Sequence, residues 1–215
     1  MSAKTDDLIQ SLSADLPKVA PRAAARRVAL GLSLGGAASA VLMLAWLHPR
    51  PDLAQAVMTP MFWMKFGYAA ATGLILAGVL TRLAKPAARP GVLATVAVAP
   101  FAVVALMAVG RFVQTPPEAQ HALLMGHSSM LCPWRILAIG APVLAGAIWA
   151  VRGLAPTRLM LAGLVAGGCA GGLGAAIYAI ACNETSAPFL AIWYTLGMMA
   201  LAVTGGLASR LMRWR

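Results

Sequence analysis

The stretch RLMLAGLVAGGCAGGLGAAIYAI, residues 158–180, decides the fold. After Arg158 it contains no charged side chain, and as a helix it is long enough to cross the roughly 30 Å hydrocarbon core of a bilayer. Gly163, Gly167 and Gly171 stand four residues apart, and small residues at that spacing let membrane helices approach closely. The stretch therefore predicts a transmembrane helix packed tightly inside a bundle.

The rest of the chain has the same character, since 60% of its 215 residues are hydrophobic and only 11% are charged. A water-soluble domain usually carries about 25% charged residues. So little charge cannot cover a water-facing surface, which excludes the soluble classes of protein. The net charge of +11 would suit a nucleic-acid-binding protein, but the excess of Lys and Arg on cytoplasmic loops of membrane proteins is the better explanation. We expect a polytopic membrane protein that does not bind nucleic acid directly.

Six apolar runs have the length of membrane spans, which predicts an all-α, six-helix transmembrane bundle. The predicted spans are residues 28–47, 62–81, 91–110, 136–151, 158–181 and 188–208. Together they define a transmembrane domain, residues 28–208, between an N-terminal segment at 1–27 and a basic tail at 209–215.

The orientation follows from the positive charges. Six spans place both termini on one side, and thirteen of the seventeen Lys and Arg residues fall on that side. The other four are Arg50, Lys65, Arg111 and Arg135. Because Lys and Arg accumulate on cytoplasmic loops, both termini are predicted to be cytoplasmic and all three histidines to lie outside.

The N-terminal segment contains a short amphipathic helix. Its apolar stripe consists of Leu8, Ile9, Leu12 and Leu16. Its first turn is acidic and contains Asp6 and Asp7. An isolated helix of about three turns is marginal in water, so the stripe needs a surface to cover it. Helices that lie on anionic lipid usually have a basic polar face, which this one lacks. We expect a protein partner with an apolar or basic groove, and docking on the protein's own cytoplasmic face or on lipid is the alternative.

Signatures of catalysis are weak. The sequence GLSLG, residues 31–35, matches the G-x-S-x-G motif, but it lies inside a predicted span rather than at a strand–turn–helix corner. No histidine lies in a predicted span, and the sequence has no nucleotide-binding loop and no C-x-x-C pair. We expect neither enzyme activity nor a resident cofactor.

The predicted spans contain almost no ionisable side chain, and Lys65 is the exception. It either extends to the membrane interface or pairs with Glu118 or Glu184. Lys65, His127 and Glu184 together form a candidate polar site on the outer face. Transporters usually bury several ionisable residues in the membrane, so this near-absence argues against transport. A small-solute or metal transporter is nevertheless the main alternative function, and a subunit of a larger membrane assembly is a second one.

Three cysteines are present. Cys169 lies in the middle of the fifth span, where a buried, inert thiol is expected. Cys132 precedes the fourth span and Cys182 follows the fifth, so both are predicted at the outer membrane surface. Three interpretations remain open for this pair: a permanent disulfide, a thiol pair that responds to oxidants or transiently binds a heavy metal, and inert free thiols.

Four segments resemble the NrsF-like family of bacterial inner-membrane anti-sigma factors. They are TDDLIQSLSADLPKV, RPDLAQAVMTPMFWMKFGY, APTR and CNETSAPFLAIWY, and the resemblance covers nearly the whole chain. It implies a six-span protein that sequesters an extracytoplasmic-function sigma factor of the sigma-F type at the cytoplasmic face and releases it under oxidative or heavy-metal stress. The two cysteines of the family match Cys132 and Cys182. The family offers no residue motif for the sigma contact, so the DDLI helix is the candidate on physical grounds alone.

Overall fold

The computed structural model describes residues 3–14, 20, 22–154 and 156–212, and all regular structure within those ranges is helical. The helices are α1 (Ala3–Ala14), α2 (Ala23–Leu47), α3 (Leu53–Ala56), α4 (Pro60–Leu83), α5 (Val92–Val113), α6 (Pro117–Met125), α7 (Cys132–Arg152), α8 (Leu159–Tyr178) and α9 (Ala187–Met212). Within the described ranges, six helices are long and apolar enough to cross a membrane: α2, α4, α5, α7, α8 and α9. The predicted all-α fold with six spans is confirmed.

Several of these helices begin earlier than the apolar runs. Helix α4 begins at Pro60, where the Thr59 hydroxyl accepts a hydrogen bond from the Phe62 N–H and proline occupies the first position. A side-chain cap and an N-terminal proline both favour a helix start. Helix α7 likewise starts at Cys132, with a proline in its first turn. Polar residues at the ends of the spans thus belong to the helices, and hydropathy alone does not detect them.

Helix α8 forms the centre of the bundle. In its most apolar window 67% of the residues are buried, compared with 17% in α5. A methyl group on Gly167 would collide with the backbone of α9 at Leu201, and one on Gly172 would collide with α4 at Gly73. The small residues therefore allow direct backbone contact, as their spacing predicted. Cys169 lies among them and is completely buried.

Helices α2 and α7 form a second close seam. Gly31 and Gly146 face each other with no space for a side chain on either. Further along the seam, the buried Ser39 hydroxyl donates to the Ile139 carbonyl at 2.6 Å. At its far end, Arg27 Nε donates to the Ala150 carbonyl at 3.0 Å. The seam joins α2 and α7 along most of their length.

The two ends of the bundle differ in content. The cysteine end holds Cys132 at the start of α7, together with the loop that connects α8 to α9. The terminal end holds the start of α2, the end of α7 and the end of α9, so the helices next to both termini are at this end.

Helix α1 precedes the terminal end. Its side chains Leu8, Ile9 and Leu12 are 58%, 55% and 65% exposed. The amphipathic helix is therefore present, and the described part of its apolar stripe is uncovered. Leu16, which the sequence assigns to the same stripe, lies outside the described residues.

Candidate functional site at the cysteine end

The two cysteines meet at the cysteine end. Cys132 is the first residue of α7 and is completely buried, and Cys182 follows the end of α8 and is 3% exposed. Both are free thiols, and they are hydrogen-bonding neighbours. Residues fifty positions apart in the sequence thus form one buried thiol pair.

Two tyrosines surround this pair. Tyr178 ends α8 and Tyr194 lies at the end of a π-helical turn in α9, and their rings are 5.9 Å apart. Both hydroxyls are buried and have no regular hydrogen bond within the described structure, although each has a cysteine as a neighbour. Sulfur is a weak acceptor, so the thiols provide only partial compensation for burying two hydroxyl groups.

The environment makes Cys182 the more acidic thiol. A hydrogen bond from Cys132 lowers the pKa of Cys182, and the positive charge of Lys65 acts in the same direction, while burial opposes both. A thiolate, unlike a thiol, reacts with oxidants and binds soft metal ions. Cys182 is therefore the expected nucleophile of the pair.

One interpretation of the sequence had Lys65 extend to the membrane interface, and the structure shows that it does not. Its side chain is 1% exposed, and its Nζ donates to the Cys182 carbonyl at 2.7 Å and to the Glu184 carbonyl at 3.1 Å. Of the two acidic partners that the sequence offered, Glu118 and Glu184, Lys65 contacts Glu184, but through the backbone oxygen and not as an ion pair with the carboxylate. The ammonium group thus holds the loop that carries Cys182.

The Glu184 carboxylate faces the other cysteine segment. Its Oε1 accepts from the His127 N–H at 2.7 Å and from the Ser128 hydroxyl at 2.9 Å. The structure therefore brings Lys65, His127 and Glu184 together, as the sequence grouping proposed. The His127 ring, however, is exposed, and the residue contributes its backbone to this contact.

Arg50 joins the site from the loop after α2. Its guanidinium binds both carboxylate oxygens of Asp52 at 2.6 Å and donates to the Cys182 carbonyl at 3.3 Å. The hydrogen bonds from Arg50 lower the pKa of Asp52. A cavity of about 190 Å³ lies between Arg50, Lys65 and Glu184. Small reagents thus have space to approach the polar side of the site.

The donor atoms allow a test of the metal interpretation. Among the described residues, no three or more His, Cys, Asp or Glu side chains are grouped as a metal site. A structural zinc site takes four such ligands. The two adjacent thiols fit only a soft cation that binds thiolates with low coordination number.

Sequence reasoning missed four participants: Arg50, Ser128, Tyr178 and Tyr194. The tyrosines lie near predicted span ends, where aromatic residues are common, so their residue type gave no special signal. Arg50 and Ser128 lie in loops, and their partners are distant in sequence. Their participation becomes visible only after the helices are assembled.

The chain matches known proteins over almost its full length. Residues 12–214 match the family model described as NrsF, negative regulator of sigma F. An "Anti-sigma-F factor NrsF" from Caulobacter vibrioides is 45% identical, with 98% of this chain and all of that protein covered. A "Probable anti-sigma-F factor NrsF" from Azospira oryzae is 37% identical, again over 98% of this chain and all of that protein. No solved structure matches the chain.

Proposed function

Because the chain belongs to the NrsF family of negative regulators of sigma F, we propose that it is an anti-sigma factor of the bacterial inner membrane. It sequesters an extracytoplasmic-function sigma factor of the sigma-F type at the cytoplasmic face. Oxidative or heavy-metal stress in the periplasm acts on Cys132 and Cys182 and releases the sigma factor.

The uncovered stripe on α1 supports the partner contact. Leu8, Ile9 and Leu12 are all more than half exposed on a helix that carries Asp6 and Asp7. An amphipathic helix commonly binds by placing its apolar side chains into a groove of the partner. Asp6 and Asp7 favour a groove with basic residues at its edge. We assign the sigma contact to this helix, with Leu16 as a further member of the stripe.

The buried thiol pair supports the sensing step. A two-electron oxidant such as hydrogen peroxide would convert both thiols to a disulfide: the two sulfur atoms lose two electrons and two protons, and the peroxide becomes two waters. A soft metal ion would instead displace the thiol protons and bind both sulfur atoms. Either event changes the contact between the start of α7 and the loop after α8.

The α2–α7 seam supports transmission to the other end. Cys132 is the first residue of α7, and near the other end of that helix Ala150 accepts the hydrogen bond from Arg27. Arg27 also lies over the Trp149 ring, 5.0 Å from its centre. A displacement of α7 is therefore felt at the start of α2, next to the N-terminal segment. A tenfold change in sigma affinity requires a coupling free energy of only about 1.4 kcal/mol.

The experiment is co-purification of the full-length protein, in membranes or detergent, with the sigma-F-type factor of the same genome. We expect capture in the reduced state and release after treatment with peroxide or a cadmium salt. Absence of capture in both states would contradict the anti-sigma function. Capture that both treatments leave unchanged would contradict only the thiol-sensing step.

A further inference from the structure

We infer that Glu184 and Lys65 are positioning residues that hold the two cysteine segments against each other and thereby control how readily Cys132 and Cys182 combine. This inference rests on the proposed thiol sensing and adds to it the part of the structure that sets the sensitivity of the pair.

The hydrogen bonds of Glu184 connect the two segments directly. The residue is 7% exposed and lies two positions after Cys182 in the loop after α8. Its carboxylate accepts from His127 and Ser128, which lie in the loop before α7. We call this pair of contacts the Glu184 bridge. Hydrogen bonds to a buried carboxylate are among the strong ones, because one partner is charged.

The bridge continues to the first cysteine through the backbone. The Ser128 carbonyl accepts a hydrogen bond from the Cys132 N–H at 2.8 Å. Ser128 thus binds Glu184 with its hydroxyl and Cys132 with its carbonyl. The start of α7 is thus connected to the loop that carries Cys182.

Gly126 shows how closely the two loops approach at the bridge. Its φ is +53°, in the left-handed region, and a Cβ atom there would lie 2.5 Å from Glu184 Oε2. Only glycine combines that backbone conformation with that contact at no cost. The loop before α7 is therefore built around the carboxylate.

Lys65 holds the segment that carries the second cysteine. It reaches the loop from α4, and the carbonyl oxygens of Cys182 and Glu184 are its acceptors. Burying an ammonium group is costly unless polar groups surround it. Here those groups are carbonyls of the loop that carries Cys182, so the charge and the loop conformation depend on each other.

The Lys65 ammonium group also acts on the Cys182 sulfur, together with several other groups. The titratable and charged groups around Cys182 are Cys132, Lys65, Tyr194, Tyr178, Arg50 and Glu184. Lys65 favours the thiolate in this set, since its charge lowers the Cys182 pKa. Lys65 thus contributes to reactivity as well as to position.

The first test measures disulfide formation in the purified full-length protein without any sigma factor. Diamide oxidises the thiols and takes up the two electrons and two protons they lose, and mass spectrometry of peptides follows the Cys132–Cys182 bond. Glu184→Ala should slow this reaction about tenfold, because two charge-assisted hydrogen bonds between the loops are lost. Glu184→Gln, whose amide oxygen still accepts both bonds, should retain most of the rate.

Glu118→Ala is the matched control, since Glu118 is an exposed glutamate near the same end, in the first turn of α6. It should oxidise like the unmodified protein. If Glu184→Ala does not fold, Ser128→Ala removes one of the two bonds and should slow oxidation about threefold. An unchanged rate in the folded Glu184 variant, or in the Ser128 variant used in its place, would overturn the role of the bridge.

The second test measures the effect of Lys65 on the Cys182 thiol through the pH dependence of Cys182 alkylation. The thiolate is the form that iodoacetamide attacks, so the midpoint of the rate against pH reports the Cys182 pKa. Lys65→Met should move this midpoint upward and make alkylation at neutral pH several-fold slower. Lys85→Met, at an exposed lysine in the loop after α4, should leave the midpoint in place. An unmoved midpoint in Lys65→Met would refute the role of Lys65.

Both tests are independent of sigma release. If the bridge and charge effects are found but oxidation does not release a sigma factor, the proposed function fails and the positioning roles stand. If oxidation releases the sigma factor and the variants react normally, the positioning roles fail and the proposed function stands.

Discussion

The two ends of the bundle differ in which side chains they bury. At the cysteine end, Lys65, Glu184 and both thiols are buried, and hydrogen bonds join segments that are distant in sequence. At the terminal end, α1 leaves its leucines uncovered. At one end polar groups are buried and hydrogen-bonded to each other, and at the other end apolar side chains are exposed. Under the proposed function, the chemical signal acts at the cysteine end and the sigma factor binds at the terminal end.

The largest effect is expected from damage to the terminal end alone. Leu8→Asp combined with Leu12→Asp should weaken sigma capture about a hundredfold, since each change places a charge where an apolar contact is proposed. The measurement is the affinity of the full-length protein for the sigma factor. The thiol oxidation rate should stay constant, and a parallel change in that rate would show that the two ends are not separable in this way.

A smaller effect is expected from damage to the cysteine end alone. Replacing both Cys132 and Cys182 with serine should abolish a shift in sigma affinity of about tenfold on oxidation, while capture in the reduced state persists. Sigma affinity measured before and after peroxide tests this. Release that still occurs in the serine variant would place the sensor elsewhere in the molecule.

Next comes a change in the loop that surrounds Glu184. Gly126→Ala combines a positive φ with a close contact to the carboxylate, which should cost about 1–3 kcal/mol of stability. Thermal unfolding in detergent would report the loss. Gly110→Ala, at a helical glycine with open space around it, is the control, and equal losses in both variants would contradict the close contact.

The smallest effect concerns the seam that joins the two ends. Ser39→Ala removes the hydrogen bond to the Ile139 carbonyl and should cost about 1 kcal/mol. Sigma affinity in the reduced and oxidised states, measured side by side, should show a smaller difference than in the unmodified protein. An undiminished difference would mean that α2 and α7 move together without this contact.

The sequence predicted the parts of the fold that depend on local composition. Runs of apolar residues defined the six spans, and the glycines at 163, 167 and 171 indicated the close packing of α8. The pairing of Cys132 with Cys182 also needed only topology, because both cysteines lie at the same end of neighbouring spans. Whether the two cysteines form a disulfide could not be predicted from the sequence, and in the structure they are free thiols.

The polar contacts at the cysteine end could not be predicted in the same way. Lys65 binds backbone carbonyls, which every residue possesses, so no residue type marks its partners. Glu184 binds a loop that precedes it by more than fifty residues, and nothing in the sequence near Ser128 identifies its hydroxyl as the donor to Glu184. Such contacts depend on how α4, α7 and α8 assemble, and that is a property of the whole bundle.

The third cysteine offers an internal standard for every thiol experiment on this protein. Cys169 lies in the middle of α8 and has no exposed surface. Opening of a loop would admit reagents to Cys182, whereas Cys169 can react only when the central helix itself separates from its neighbours. The ratio of label at these two positions therefore distinguishes a local fluctuation from loss of the native state, in a single sample and without an engineered cysteine.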